Sequence, residues 1–170
     1  MNMQTEIDVS KFKVAVITLS DRAYCGQRED LSGPAIMEYL KDRGYSLPEY
    51  ILIADDATKL EAELKRLSDL EKVDLILTTG GTGFAPRDIT PEVTLSVATK
   101  NAPGLSEAIR AYSLTKTPHA MLSRGASVIR NNTLIVNLPG SPKAVRESLD
   151  VIIEALPHGL GLLRGEKLDK

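Results

Sequence analysis

Val73-Asp-Leu-Ile-Leu-Thr-Thr79 runs without interruption into Gly80-Gly81-Thr82-Gly83, and Thr90-Pro91-Glu92 follows after a short polar stretch. Largely apolar and ended by glycine, residues 73–79 read as a strand covered on both faces, the habit of a parallel sheet held between helices. Thr90-Pro91-Glu92 has the order N-cap, first-turn proline, first-turn acid, and predicts a helix through about residue 99. A strand that turns on glycine toward a helix is the building unit of an α/β fold.

The same rhythm extends in both directions. Upstream, residues 12–19 carry Val14, Ala15, Val16, Ile17 and Leu19 and read as a second doubly covered strand. Pro34, the apolar Ile36, Met37 and Leu40, and Gly44 mark a helix over 32–43. Ile51-Leu52-Ile53-Ala54 reads as a short strand, and Leu60, Leu64 and Leu67 line one face of a helix over 57–70. Downstream, a helix is expected over 105–117, stopped by Pro118. Residues 127–130 and 134–138 flank Asn131-Asn132, a pair that tolerates positive φ and suits a tight hairpin, so the sheet should be mixed. Pro139-Gly140-Ser141-Pro142 leads into a last helix bearing Val145, Leu149, Ile152, Ile153 and Leu156, ended by Pro157. Residues 1–10 are polar and aperiodic and read as a flexible tail. With no repeat or linker, residues 11–170 are expected to form one domain, a three-layer α/β/α sandwich with a mostly parallel, mixed sheet.

Composition removes several function classes. A net charge of −2 supplies no global pull toward nucleic acid or an anionic membrane. Tryptophan is absent and Phe12 and Phe84 are the only phenylalanines, which leaves few stacking platforms for single-stranded nucleic acid. Cys25 is the only cysteine, so no intramolecular disulfide forms, and no apolar run reaches bilayer length. Without a signal-like apolar start, a cytoplasmic location is expected.

Ligands of open α/β sheets bind outside the carboxyl ends of the strands, so the residues just after each strand carry the functional reading. They are Ser20-Asp21-Arg22, Asp55-Asp56, Gly80-Gly81-Thr82-Gly83 with Arg87-Asp88, and Gly140-Ser141-Pro142-Lys143. Glycine lets backbone N–H groups approach an anion, so 80–83 is a candidate phosphate cradle, although a plain turn has the same composition. Arg87 can offset phosphate charge, Asp88 can take a metal, and the helix opened by Thr90-Pro91 can add its dipole. Lys143 in the first turn of the last helix opposes the dipole there, which makes sense if an anion sits between them. Asp21, Asp55 and Asp88 each follow a strand, where magnesium bridging phosphates needs one or two carboxylates. Arg124 reads equally as a phosphate clamp or a surface ion pair. Neither His119 nor His158 gives Cys25 a sequence-local base. The dinucleotide fingerprint, the P-loop and a cysteine–histidine zinc cluster are all missing from the chain.

Thr78-Thr-Gly-Gly-Thr-Gly-Phe-Ala-Pro-Arg-Asp-Ile-Thr-Pro-Glu92 resembles the signature of the molybdopterin adenylyltransferase family, the Mog and MoaB proteins and the G domains of gephyrin and its plant counterpart. Thr18-Leu-Ser-Asp-Arg22, Pro103-Gly-Leu, Leu122-Ser-Arg124 and Asn137-Leu-Pro-Gly-Ser-Pro-Lys143 resemble family motifs in the same order, so the likeness spans about residues 12–157 and is closest to the Mog branch. The resemblance implies transfer of AMP from Mg-ATP to the terminal phosphate of molybdopterin, with pyrophosphate released. It marks Asp55 and Asp88 as the essential acids and as magnesium ligands. Substrate binding falls by the same resemblance to Ser20, Asp21, Arg22, Gly80, Gly81, Thr82, Gly83, Arg87, Ser123, Arg124, Pro139, Gly140, Ser141 and Lys143. It further implies a homotrimer and hand-off of product to a molybdenum-insertion enzyme. The alternative within the family is a MoaB-type pterin-binding paralogue with weak or no transferase activity.

Overall fold

The computed structural model describes residues 7–46 and 48–167. The strands are β1 (Val14–Leu19), β2 (Glu49–Ile53), β3 (Leu75–Thr79), β4 (Lys100–Asn101), β5 (Ser127–Arg130) and β6 (Thr133–Leu138). The α-helices are α1 (Asp21–Tyr24), α2 (Ser32–Asp42), α3 (Ala57–Lys65), α4 (Thr90–Ser96), α5 (Gly104–Leu114), α6 (Pro142–Ile152) and α7 (Leu156–Leu163). The six strands lie in the order β2-β1-β3-β6-β5-β4. Pairings among β2, β1, β3 and β6 are parallel, and β5 runs antiparallel to both of its neighbours.

Alternation along the three central strands explains their unbroken apolar character. Val14 and Val16 of β1, Leu75 and Leu77 of β3, and Leu134, Val136 and Leu138 of β6 face a core shared with Ile36 and Leu40 of α2, Ile109 of α5 and Val145 and Leu149 of α6. Ala15, Ile17 and Leu19, Ile76 and Ile135 face the opposite core, with Leu60 and Leu64 of α3 and Val93 of α4. A strand with helices on both faces has no polar side, and the three-layer sandwich follows.

Four local expectations are corrected, and one short helix is added. Residues 7–10, read as part of a loose tail, are ordered: Val9–Lys11 form a 3₁₀ turn capped by Asp8, and Ile7 and Val9 pack on the core beside the fully buried Phe12. The remainder of that tail, residues 1–6, lies outside the described residues. The stretch after β1 contains the one-turn helix α1, capped by the Ser20 side chain. Helix α3 ends at Lys65 and continues as a π turn, Arg66–Leu70. Thr90 is the first residue of α4 and Ile89 occupies the cap position, because the Thr90 hydroxyl is used elsewhere, as described below. Pro157 opens α7 where a stop was expected, since proline lacks only an N–H that a first helical turn leaves unpaired.

Candidate active site

The topological switch point falls between β1 and β3: the chain leaves β1 for the β2 edge and returns on the other side at β3. Crevices form at such points outside the carboxyl ends. Register places Thr18 beside Thr79 and Thr79 beside Leu138, so Leu19, Gly80 and Pro139 form the next row and Ser20 follows at the same rim. The close fit demands glycine. Gly80 sits at φ +93°, and a Cβ there would lie 2.3 Å from the Leu19 carbonyl oxygen. Gly81 sits at φ +67°, where a Cβ would come within 2.4 Å of Thr90 Oγ1 and 3.2 Å of Asp55 Oδ1. Gly140 approaches Gly80 backbone to backbone, a Cβ on it falling 3.6 Å from the Gly80 Cα, so the two glycine turns adjoin.

Side-chain hydroxyls fasten these turns. Thr90 donates to the Gly80 carbonyl at 2.9 Å, Thr79 to Pro139 O at 2.6 Å and Ser32 to Gly140 O at 2.7 Å. Among the described residues, the backbone N–H groups of Gly81, Thr82 and Gly83 meet no protein acceptor, which leaves them for an anion.

Asp21 and Asp55 are locked face to face. The Asp21 N–H donates to Asp55 Oδ2 at 3.1 Å, and the Asp55 N–H donates to Asp21 Oδ1 at 3.0 Å. Arg87 closes the bracket, donating from both Nε and Nη2 to the Asp21 carboxylate and from Nη2 to the Asp55 carbonyl at 3.0 Å. Hydrogen bonding to Arg87 holds the Asp21 carboxyl below its ordinary range. Burial pushes Asp55 in the other direction, and the charges of Asp21 and Asp88 add to the rise against the Arg87 guanidinium. Asp55 Oδ1 is buried and has no hydrogen-bond partner. Asp88 accepts the Ala85 N–H at Oδ2, the same oxygen a Cβ on Gly83 would meet at 2.9 Å.

The fit to a divalent cation can be judged from these atoms. Among the described residues no group of three or more histidines, cysteines or acids gathers as a cage. Two carboxylates with an orphaned oxygen suit magnesium, which keeps most of its shell as water and substrate phosphate.

Other expected residues are placed differently from a bare phosphate-binding role. Ser141 caps α6 by accepting the Ala144 N–H at 3.2 Å, and Lys143 is exposed beside it. Arg22 is exposed on α1, and Cys25 ends that helix, also exposed. The Ser123 carbonyl is held by Arg110 at 2.9 Å. Arg124 is no open clamp: its nitrogens bond the Gly83 and Asp88 carbonyls and the Glu92 carboxylate.

A cleft of about 190 Å³ beside the glycine turns is lined by Thr18, Ser20, Arg28, Asp30, Ser32 and Gly140, among others. Sequence reasoning missed Arg28, Asp30 and Ser32. Asp30 accepts the Ser32 and Gly33 N–H groups and the Tyr50 hydroxyl, and so sets where α2 begins. The signal was Asp30-Leu-Ser-Gly-Pro34, an acid placed to cap a helix whose early proline had been recognised.

A family model described as a probable molybdopterin binding domain matches residues 15–158. The molybdopterin adenylyltransferase of Helicobacter pylori (strain J99) is 45% identical over 154 residues, covering 89% of this chain and 88% of the relative. Among solved structures, the molybdopterin biosynthesis enzyme MoaB of Thermus thermophilus superposes with a TM-score of 0.86 at 44% identity, covering 93% of this chain and 99% of that one. The molybdopterin biosynthesis Mog protein of Mycobacterium ulcerans gives 0.84 at 42% identity over 89% and 99%. Relatives carrying the Mog and the MoaB names thus stand at nearly equal identity. With the glycine rim, the paired acids and these matches all falling on one continuous α/β domain, the chain belongs to the molybdopterin-binding family of molybdenum cofactor biosynthesis.

Proposed function

We propose that this protein is a molybdopterin adenylyltransferase. An oxygen of the molybdopterin terminal phosphate attacks the α-phosphorus of ATP, the bond from that phosphorus to the oxygen bridging the β-phosphate breaks, and pyrophosphate leaves with that oxygen. The observation that carries the reading is 45% identity, over nearly the full length of both chains, to a relative curated under that name. The rim geometry supports it, because transfer of this kind needs positioning and charge stabilisation more than a protein nucleophile.

In this reading the free N–H groups of Gly81, Thr82 and Gly83 hold one phosphate group. The turn Gly140-Ser141, with exposed Lys143, takes the other anionic partner. Asp55, whose Oδ1 has no partner, and Asp88 would hold magnesium, which would screen the phosphate charge. Asp21 and Arg87 keep Asp55 in place from the opposite side. Exposed Phe84 after the glycine turn and exposed Met121 in the 3₁₀ turn Pro118–Leu122 support a subunit contact, in a homotrimer on this reading, which light scattering checks directly. We further infer a cytoplasmic enzyme that passes its product to a molybdenum-insertion enzyme; among the described residues no helix is long and apolar enough to cross a membrane.

Incubation with molybdopterin and Mg-ATP should yield adenylylated pterin and pyrophosphate. In Asp88→Asn the yield should drop by about 100-fold or more while the melting temperature stays within about 2 °C, the half-exposed loop carboxyl contributing little to stability. A wild-type protein that binds molybdopterin yet releases no pyrophosphate would make it a binding paralogue of the MoaB type, a name its relative from Thermus thermophilus carries.

A further inference from the structure

We propose that Arg124 is a positioning residue that fixes the distance between the glycine loop and Asp88, and that it binds neither substrate. Its backbone N–H donates to the Thr82 carbonyl at 2.9 Å. Nε donates to Gly83 O at 2.8 Å, Nη2 to Asp88 O at 2.9 Å, and Nη1 pairs with Glu92 in the first turn of α4. One half-buried side chain therefore ties the start of the loop, its catalytic end and the helix that follows. Glu92 offsets the guanidinium charge and three of its five N–H donors are engaged, which leaves one N–H on each terminal nitrogen and no open fork for a phosphate.

The loop needs such a tie. Between Gly83 and Asp88 the backbone is exposed, and its internal bonds are the Asp88 N–H to Ala85 O and the Ala85 N–H to Asp88 Oδ2. Those bonds hold Ala85 and Asp88 to each other; the Arg87 side chain ties the loop outward to Asp21 and the Asp55 carbonyl, and Arg124 alone among the described residues reaches the carbonyls of both Gly83 and Asp88. The Asp88 carboxylate lies against Gly83, where a Cβ would fall 2.9 Å from Oδ2, so the two positions are close neighbours. Fixing both carbonyls from a single planar group sets their separation, and lysine, with a point charge in place of a fork, cannot span both.

The kinetic part of this inference rests on the adenylyltransferase reading, and its test has a second arm that does not. In Arg124→Lys and Arg124→Ala, kcat for pyrophosphate release should fall about 10- to 100-fold through misplacement of Asp88. The KM values for Mg-ATP and molybdopterin should rise by a smaller factor than kcat falls. Amide hydrogen exchange in the free protein should quicken about tenfold at Ala85 and Asp88, whose N–H groups are bonded within the loop, and stay unchanged in the central strands. A raised KM for either substrate with kcat held would make Arg124 a substrate ligand and overturn the proposal, as would unchanged exchange in the loop. If the wild type itself releases no pyrophosphate, the functional reading fails, and the exchange arm alone decides the role of Arg124. If Arg124→Ala does not fold, Arg124→Lys carries both arms.

Discussion

Asp55 is held in place by the backbone of Asp21 and by Arg87, yet one of its oxygens is buried without a partner. Its carboxyl pKa is raised, first by burial and then by neighbouring acids. A carboxyl whose pKa is higher in the folded than in the unfolded chain favours folding while protonated. That contribution is fully present below the unfolded pKa and is lost as pH rises through the folded one. Asp69 behaves oppositely: its bond to Arg130 lowers its pKa, so it stabilises above its unfolded value and loses this as pH falls through the folded one. Asp55→Asn should therefore unfold at a higher temperature than wild type at pH 7, with the gap closing on acidification below the Asp55 pKa, while transferase activity is lost. Melting curves across pH check this, and a gap that widens toward acid would refute the electrostatic account. Asp21, Asp55 and Asp88 were legible because each follows a strand and because the family motif marks two of them. The reciprocal bracket was not, since Asp21 and Asp55 approach each other only when β1 and β2 pair.

At the scale of elements, a buried polar network fastens α4 to the sheet. Asn137 on β6 donates to the hydroxyls of Thr78 on β3 and Thr94 on α4, both at 2.9 Å, and accepts the Ala126 N–H at 3.1 Å. Every polar atom of that side chain is used, and its removal leaves buried groups unpaired. Asn137→Ala should cost about 3 kcal/mol of folding stability, read by urea denaturation, because stranded buried donors and acceptors each cost about 1–3 kcal/mol. A loss below about 1 kcal/mol would mean that the site relaxes or takes in water. Elements with strong apolar patterns, β1, β3, β6, α2 and α6, were readable. Three others were not. Strand β4 is Lys100–Asn101, both exposed, and exists because Thr99 and Ala102 donate to β5. Helix α1 is one turn held by a Ser20 cap. Helix α7 is apolar nearly throughout, so it lacks a polar face to give a helical period, and its proline read as a stop.

For the whole molecule, closure depends on contacts far apart in sequence at the end of the sheet opposite the site. Arg164, just past α7, grips the buried Asp74 before β3 through Nε at 2.7 Å and Nη2 at 2.8 Å, and bonds Lys11 O at 2.8 Å. Asp74 also accepts the Lys13 N–H at 2.8 Å, so one carboxylate joins the start of β1, the start of β3 and the last helix. Arg164→Ala should cost about 2 kcal/mol in urea denaturation, less than a fully buried pair because Arg164 is about 32% exposed. Pyrophosphate release should persist, since the cluster lies across the sheet from the glycine rim. Loss of activity without loss of stability would show that α7 communicates with the site. The order of the main strands and helices, the doubly covered sheet and the glycine rim with its acids were determined by the sequence itself, because apolar periodicity and glycine act locally. Only the tertiary structure decided that Arg87 pairs with Asp21, that the Arg124 side chain meets the Gly83 and Asp88 carbonyls, and that Asp30 and Ser32 line the cleft. Those roles depend on which groups from distant segments meet, and strand register and burial settle that, not the spacing of residues along the chain.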